Sequence, residues 1–173
     1  MKLSAAVQVL QGMEDQGRCV YRSRDLRKLL TDATESGFRS TLRRLRETGQ
    51  LVSACRDVYV FGDGRANRTH LLEVIAATAR RGDLCYVSLE SALSEYGLIS
   101  QIPVRRLTVM TDGRASELKT PFGLIEFTHS SRDKADLLKR SISVGRPLRL
   151  ATKDAAVSDL KRVGRNTHLL KQD

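Results

Sequence analysis

The chain has 173 residues, 40% of them hydrophobic, a formal net charge of +10 and a pI near 10.0. That length admits one ordinary domain or two small ones, and the apolar fraction excludes wholesale disorder. A balance this basic points to a polyanionic partner, either nucleic acid or an anionic membrane surface.

The spacing of Leu3, Ala6, Val7, Leu10 and Met13 predicts a first helix over residues 3 to 15, ended by Gly17. Cys19-Val20-Tyr21 reads as a short strand. Ser23 is placed to cap a second, short helix carrying Leu26, Leu29 and Leu30. A polar turn, Thr31 to Ser36, leads into a third helix from Ser36 or Gly37 to Glu47. Phe38, Leu42 and Leu45 share one face of it, and Gly49 stands just past its end. Two β-prone runs, Leu51–Cys55 and Val58–Phe61, surround Arg56-Asp57 as a hairpin does. Gly62 to Asn67 reads as a linker. A helix over Thr69 to Arg80 is expected to open a second half. Tyr86-Val87 follows as a strand, then a helix capped by Ser88 and stopped by Gly97. Strands are expected at Leu107–Met110, Ala115–Lys119, Leu124–Phe127 and Leu148–Ala151, and a last helix from Lys153 to Val163. Asp112-Gly113 and Thr120-Pro121-Phe122-Gly123 are turn signals.

The order helix, strand, helix, helix, hairpin is the layout of a winged helix-turn-helix. The fold class expected is therefore α+β: an N-terminal winged helix-turn-helix over residues 1–64, then a mixed α/β domain with an antiparallel sheet over residues 65–173. Met1 to Leu10 lacks the apolar run of a signal peptide, and no segment approaches the roughly 18 apolar residues of a membrane span. A cytoplasmic location is expected.

The third helix carries the chemistry. Arg39, Arg43 and Arg46 form a stripe opposite Phe38, Leu42 and Leu45, flanked by Ser40 and Arg44. A helix that reads duplex DNA needs one apolar face for its own core and one polar face for base edges and phosphates. Arginine suits that face, because its planar fork grips a guanine edge or clamps a phosphate. Arg56 at the hairpin tip is placed to reach the minor groove or backbone; Arg24, Arg27 and Lys28 on the second helix are placed to touch phosphates. A merely solvated arginine face is the plainer alternative, and the hairpin directly after the helix weighs against it. The charge is not confined to this half. Residues 1–65 carry 12 basic and 8 acidic side chains, residues 66–173 carry 18 and 12.

The second half resembles the AbiEi family of antitoxins and transcriptional regulators. Three segments carry the likeness: Tyr86-Val87-Ser88-Leu89-Glu90-Ser91-Ala92-Leu93-Ser94-Glu95-Tyr96-Gly97-Leu98-Ile99, Lys119-Thr120-Pro121-Phe122-Gly123, and Leu150-Ala151-Thr152-Lys153-Asp154-Ala155-Ala156-Val157-Ser158-Asp159-Leu160. Their order and spacing fit the family, with Lys153 where members often have proline. In the first half, Ser40 to Val52 ending in Val58-Tyr59-Val60 is similar to the family's winged helix. The resemblance implies a DNA-binding antitoxin of a toxin–antitoxin system used in phage defence by abortive infection. Such a protein represses its own operon at inverted repeats, as a monomer or homodimer on DNA, and counteracts a nucleotidyltransferase-type toxin. A stand-alone winged-helix repressor with no toxin partner is the alternative.

Other classes fit less well. Asp112 with Glu117-Leu118-Lys119 faintly resembles the acidic pair and Glu-x-Lys of metal-dependent nucleases, but only four residues separate the two acids across a turn. No nucleophile signature is visible, so no catalysis is expected. Cys19, Cys55 and Cys85 are odd in number and, like His70, His129 and His168, widely scattered; no metal and no cofactor are expected. Single-stranded RNA recognition would call for aromatic stacking platforms, and aromatics make up 5% of the chain.

Overall fold

The computed structural model describes residues 1–31, 34–62, 69–99 and 104–170. The expected linker around Gly62 to Asn67 lies almost wholly outside them. The chain divides into two compact units, Met1–Ala79 and Arg80–Asp173. Both contain helices and sheet, so the class is α+β.

In the first unit, α1 (Leu3–Asp15) is followed by β1 (Val20–Arg22), α2 (Ser23–Leu29), α3 (Glu35–Glu47), β2 (Leu51–Cys55), β3 (Val58–Phe61) and α4 (Leu71–Ala79). The three strands form an antiparallel sheet in the order β1-β3-β2. Leu10 of α1, Leu26 and Leu30 at α2, Phe38 and Leu45 of α3, and Tyr21, Leu51 and Phe61 of the sheet are buried together. Each large side chain removed from water in this way contributes about 1.5–3 kcal/mol. A helix with this periodicity can satisfy that core along only one stripe, so the opposite stripe of α3 is left to solvent.

Two expectations change here. Ser23 is the first residue of α2 rather than its cap. The Asp25 carboxylate accepts the Arg22 N–H at 3.1 Å, which gives the helix start its acceptor from inside the first turn. The division of the chain also moves from 64/65 to 79/80. Helix α4 packs on β1 and β3, and the Arg22 guanidinium donates to the Thr78 and Ala79 carbonyls at 2.7 Å each. Those carbonyls are the open end of α4, where a cation is favoured.

The second unit comprises β4 (Cys85–Val87), α5 (Leu89–Glu95), β5 (Arg106–Thr111), β6 (Ser116–Thr120), β7 (Gly123–His129), α6 (Lys134–Lys139), β8 (Ser141–Ile142), β9 (Arg149–Ala151) and α7 (Lys153–Val163), with a short 3-10 turn at Thr167–Leu169. Its six strands run in the order β6-β7-β5-β4-β9-β8. The sheet is mixed rather than antiparallel, since β5 with β7 and β4 with β9 pair in parallel. Strand β7 lies between β5 and β6: β6 pairs with it antiparallel, Glu117 opposite Glu126, and β5 takes its other flank in parallel. At the bend after β5, the Asp112 carboxylate accepts the Leu84 N–H at 2.7 Å and faces Lys134 at 3.5 Å. Helices α5 and α7 pack on each other, and α5 packs on β5.

Candidate nucleic-acid interface

Thr34 opens α3: its hydroxyl accepts the Gly37 N–H at 3.1 Å. A threonine whose hydroxyl takes an orphan N–H fixes where the helix begins, and everything downstream inherits its phase. Phe38, Thr41 and Leu45 are then buried, Leu42 half-buried, and Arg39, Arg43 and Arg46 exposed. The three arginines expected to form a stripe do form one. Arg39 and Arg43 are 77% and 70% exposed, each with a carboxylate one turn away: Arg39 Nε lies 3.1 Å from Glu35, and Arg43 Nε 3.8 Å from Glu47. The first is a hydrogen bond and the second too long for one.

Arg44 is drawn off that stripe. Its Nη2 donates to the Met1 carbonyl at 3.0 Å and to the Thr41 hydroxyl at 3.1 Å, and Nε donates to the Ser40 carbonyl at 3.4 Å. It is half-buried and fastens α3 to the start of α1. Ser40 is half-buried beside it.

On α2, Arg24 and Lys28 are exposed. Arg27 lies over the Phe38 ring, 5.5 Å from its centroid, and its Nε is 3.5 Å from the second oxygen of Glu35. One carboxylate therefore faces two guanidinium groups, Arg39 on its own helix and Arg27 on α2. A carboxylate in the first turn of a helix is also favoured by the helix dipole. The periodicity of the sequence places Glu35 near the helix start but gives no sign that it bridges two elements.

The hairpin tip consists of Arg56 and Asp57, both exposed, with Asp57 in the left-handed region at φ 64. Aspartate tolerates that conformation better than most residues. Its carboxylate accepts the Ser23 N–H at 3.2 Å, so the tip that carries Arg56 is tied to the first residue of α2. Guanidinium groups presented in this way, on α3 and at the tip, are able to hold phosphate or guanine edges.

The second unit shows what the three sequence segments do. Asp159 of α7 is fully buried. Its carboxylate accepts from the Tyr86 and Ser88 hydroxyls, at 3.0 and 2.9 Å, and from Arg140 at 2.7 Å. Burial, and then the Asp159 charge, push the Tyr86 phenol up to about 12. Ser88 stands at the N-cap of α5, as the sequence predicts, but its hydroxyl is spent on Asp159 rather than on the helix. The Tyr96 hydroxyl donates to the Ala151 carbonyl at 2.8 Å. The first and third segments thus interlock. In the middle one, the Thr120 hydroxyl accepts the Phe122 and Gly123 N–H groups, at 3.1 and 3.0 Å, and shapes the turn.

Two further buried carboxylates, Glu90 and Glu126, share Arg165. It donates to both Glu90 oxygens at 3.1 Å and to Glu126, which also takes Arg106 at 2.5 Å. Burial favours the neutral acid at Glu126, but the two arginines outweigh it and hold the carboxyl below its ordinary range. As for the nuclease-like trio, Glu117 and Lys119 are exposed on the edge strand β6, while Asp112 is engaged as described. Among the described residues no three His, Cys, Asp or Glu side chains are gathered to hold a metal, and no helix is long and apolar enough to cross a membrane.

No family model matches the chain, and no curated protein matches it. Among solved structures it is similar to the crystal structure of the RV2827C protein from Mycobacterium tuberculosis, with 22% sequence identity and a TM-score of 0.47. The match covers 74% of this chain and 45% of that one, so the chain spans less than half the length of that protein.

Proposed function

We propose that the chain is a cytoplasmic DNA-binding regulator whose first unit is a winged helix-turn-helix. Helix α3 lies in the major groove of duplex DNA, the β2–β3 hairpin is the wing, and Arg24 and Lys28 of α2 meet the backbone. The observation that carries this reading is the exposed Arg39, Arg43 and Arg46 stripe on a helix whose other stripe is core and whose chain runs directly into a hairpin. Guanine edges in the major groove offer two acceptors to an arginine fork, and phosphates offer the same to the rest. Arg44 serves chiefly the fold of the unit, because three of its five N–H donors are engaged by Met1, Thr41 and Ser40 and the side chain is half-buried.

The second unit is read as the AbiEi-like antitoxin domain, on the likeness of its three segments. On that reading the protein represses its own operon at inverted repeats and counteracts a nucleotidyltransferase-type toxin. A gel-shift titration on the DNA upstream of its own reading frame, against scrambled DNA of equal length at two salt concentrations, tests the first part. Promoter-selective binding that the Arg39→Ala/Arg43→Ala variant loses is the expected result. Equal, weak binding to both duplexes that salt abolishes is counterion release alone, and it refutes the reading. Rescue of growth on co-expression with the toxin candidate from the adjacent gene tests the second part. Promoter binding without rescue leaves a stand-alone repressor.

A further inference from the structure

Glu35 is an acid placed where a DNA-reading helix would be expected to avoid one. It stands in the first turn of α3, and in a helix-turn-helix the N-terminal residues of the second helix are those that approach base edges. A carboxylate there repels phosphates. An exposed ion pair adds little to folding, and the helix dipole favours a first-turn acid only modestly. Its geometry points to a further role. Glu35 Oε1 takes the Arg39 Nε–H at 3.1 Å, while Oε2 faces Arg27 Nε at 3.5 Å.

A guanidinium has five N–H groups, and engaging Nε leaves the four on the two Nη atoms. Those form the end of the fork, and they are enough for the two acceptors of a guanine, O6 and N7. Arg39 is otherwise a long side chain, 77% exposed, with rotamers that would let it reach any nearby phosphate. Holding it in one direction before contact removes an ordering cost that only the aligned contact recovers. The bridge to Arg27, itself seated on Phe38, fixes the carboxylate in turn.

We infer that Glu35 is a specificity-determining positioning residue: it aims Arg39 at a base edge and weakens contact with sequence-neutral phosphate. The inference rests on the proposed entry of α3 into the groove. Glu47 supplies the comparison. It carries the same charge at the other end of α3, but its 3.8 Å approach to Arg43 is too long to aim a fork.

The test titrates wild type, Glu35→Ala, Glu47→Ala and Arg39→Ala/Arg43→Ala on the upstream duplex and on scrambled duplex of the same length. Both single alanine variants lose one negative charge and are expected to bind scrambled DNA several-fold tighter. Glu35→Ala alone also removes the acceptor of the Arg39 Nε–H, and it is expected to lose about tenfold or more of the promoter-over-scrambled ratio, the discrimination that one aligned arginine–guanine pair supplies. The ratio of Glu47→Ala stays within about twofold of wild type. An unchanged ratio in Glu35→Ala, or an equal fall in Glu47→Ala, overturns the inference while leaving α3 as the binding helix if the double arginine variant still loses the promoter. A double variant that binds like wild type removes α3 from the interface, and the inference falls with it.

Discussion

Asp159→Ala removes an acceptor that three donors share inside the second unit. The Tyr86 and Ser88 hydroxyls are left without it at full burial, and Arg140, one-fifth exposed, keeps its charge with no counter-charge at 2.7 Å. An unsatisfied buried polar group costs about 1–3 kcal/mol, and breaking a buried ion pair about 3–5 kcal/mol. Because one carboxylate serves all three donors these terms overlap, and the expected loss is about 3–5 kcal/mol. Asp159→Asn behaves differently. Its remaining oxygen still accepts from Arg140, and the two hydroxyls can rotate to accept from the new amide N–H groups. Only charge assistance is lost, about 1–2 kcal/mol. Urea titration followed by far-ultraviolet circular dichroism measures both variants. Amide exchange in β4, β9 and α7, set against α1 and α3, assigns the loss to the second unit. The reasoning fails if Asp159→Ala costs less than about 1 kcal/mol, or if the asparagine costs as much as the alanine.

Three further predictions follow from the same network and its neighbours. Tyr86 has its pKa raised from 10.0 to about 12. Its folded state prefers the neutral phenol, so that contribution is whole below pH 10 and is lost as the pH rises towards 12. The stability gap between wild type and Tyr86→Phe, about 1 kcal/mol near neutrality, should therefore close over that range in urea titrations. Glu126 is shifted the other way, since Arg106 and Arg165 outweigh the effect of burial and lower its pKa. Its contribution is whole above the ordinary carboxylate range and lost as the pH falls through the lowered value. Glu126→Gln should flatten the acid limb of the stability curve, and an unchanged limb would remove the two arginines as its cause. Finally, a fragment of residues 1–79 should give a cooperative thermal melt while residues 1–64 should not, because α4 covers β1 and β3 and closes on Arg22. Equal melts for the two fragments would show that α4 is dispensable.

Local signals made much of the first unit legible. The apolar spacing predicted α1 over residues 3 to 15, as found, and the arginine stripe was readable from Phe38, Leu42 and Leu45 because a helix ties residue spacing to direction. Helix α4 was placed in the wrong half because its apolar residues run nearly all the way round, and even Glu73 is buried. Such a helix carries no sign of which sheet it serves. Helix α6 and strand β8 were missed altogether; they span six and two residues, too short for any period to emerge. The parallel pairings of the second sheet depend on strand order, with β7 between β5 and β6 and β9 beside β4, a long-range choice that residue spacing does not encode. The candidate interface residues legible in the sequence are those on the exposed stripe, Arg39, Arg43 and Arg46, whose direction follows from the helix period. The i, i+4 spacing of Glu35 and Arg39 is written in the sequence, but the contacts of Glu35 with Arg27 and of Asp57 with Ser23 lie between elements and left no mark in the pattern.

The pairing of β4 with β9 has a consequence for how the chain is made. Tyr86 lies opposite Arg149 in that ladder, so a strand emerging from the ribosome must wait for one that follows far behind it in the sequence. At about 5–20 residues per second the wait is on the order of several seconds. Throughout it, the edge of Cys85-Tyr86-Val87 that β5 does not cover, in a run buried in the finished sheet, stays unpaired and open to chaperones and proteases. The first unit, closed by α4 at Ala79, has no such dependence on later sequence. Each polypeptide should therefore expose its arginine face in folded form while the rest is still being synthesised, and a chain cut short in that interval would leave the first unit intact.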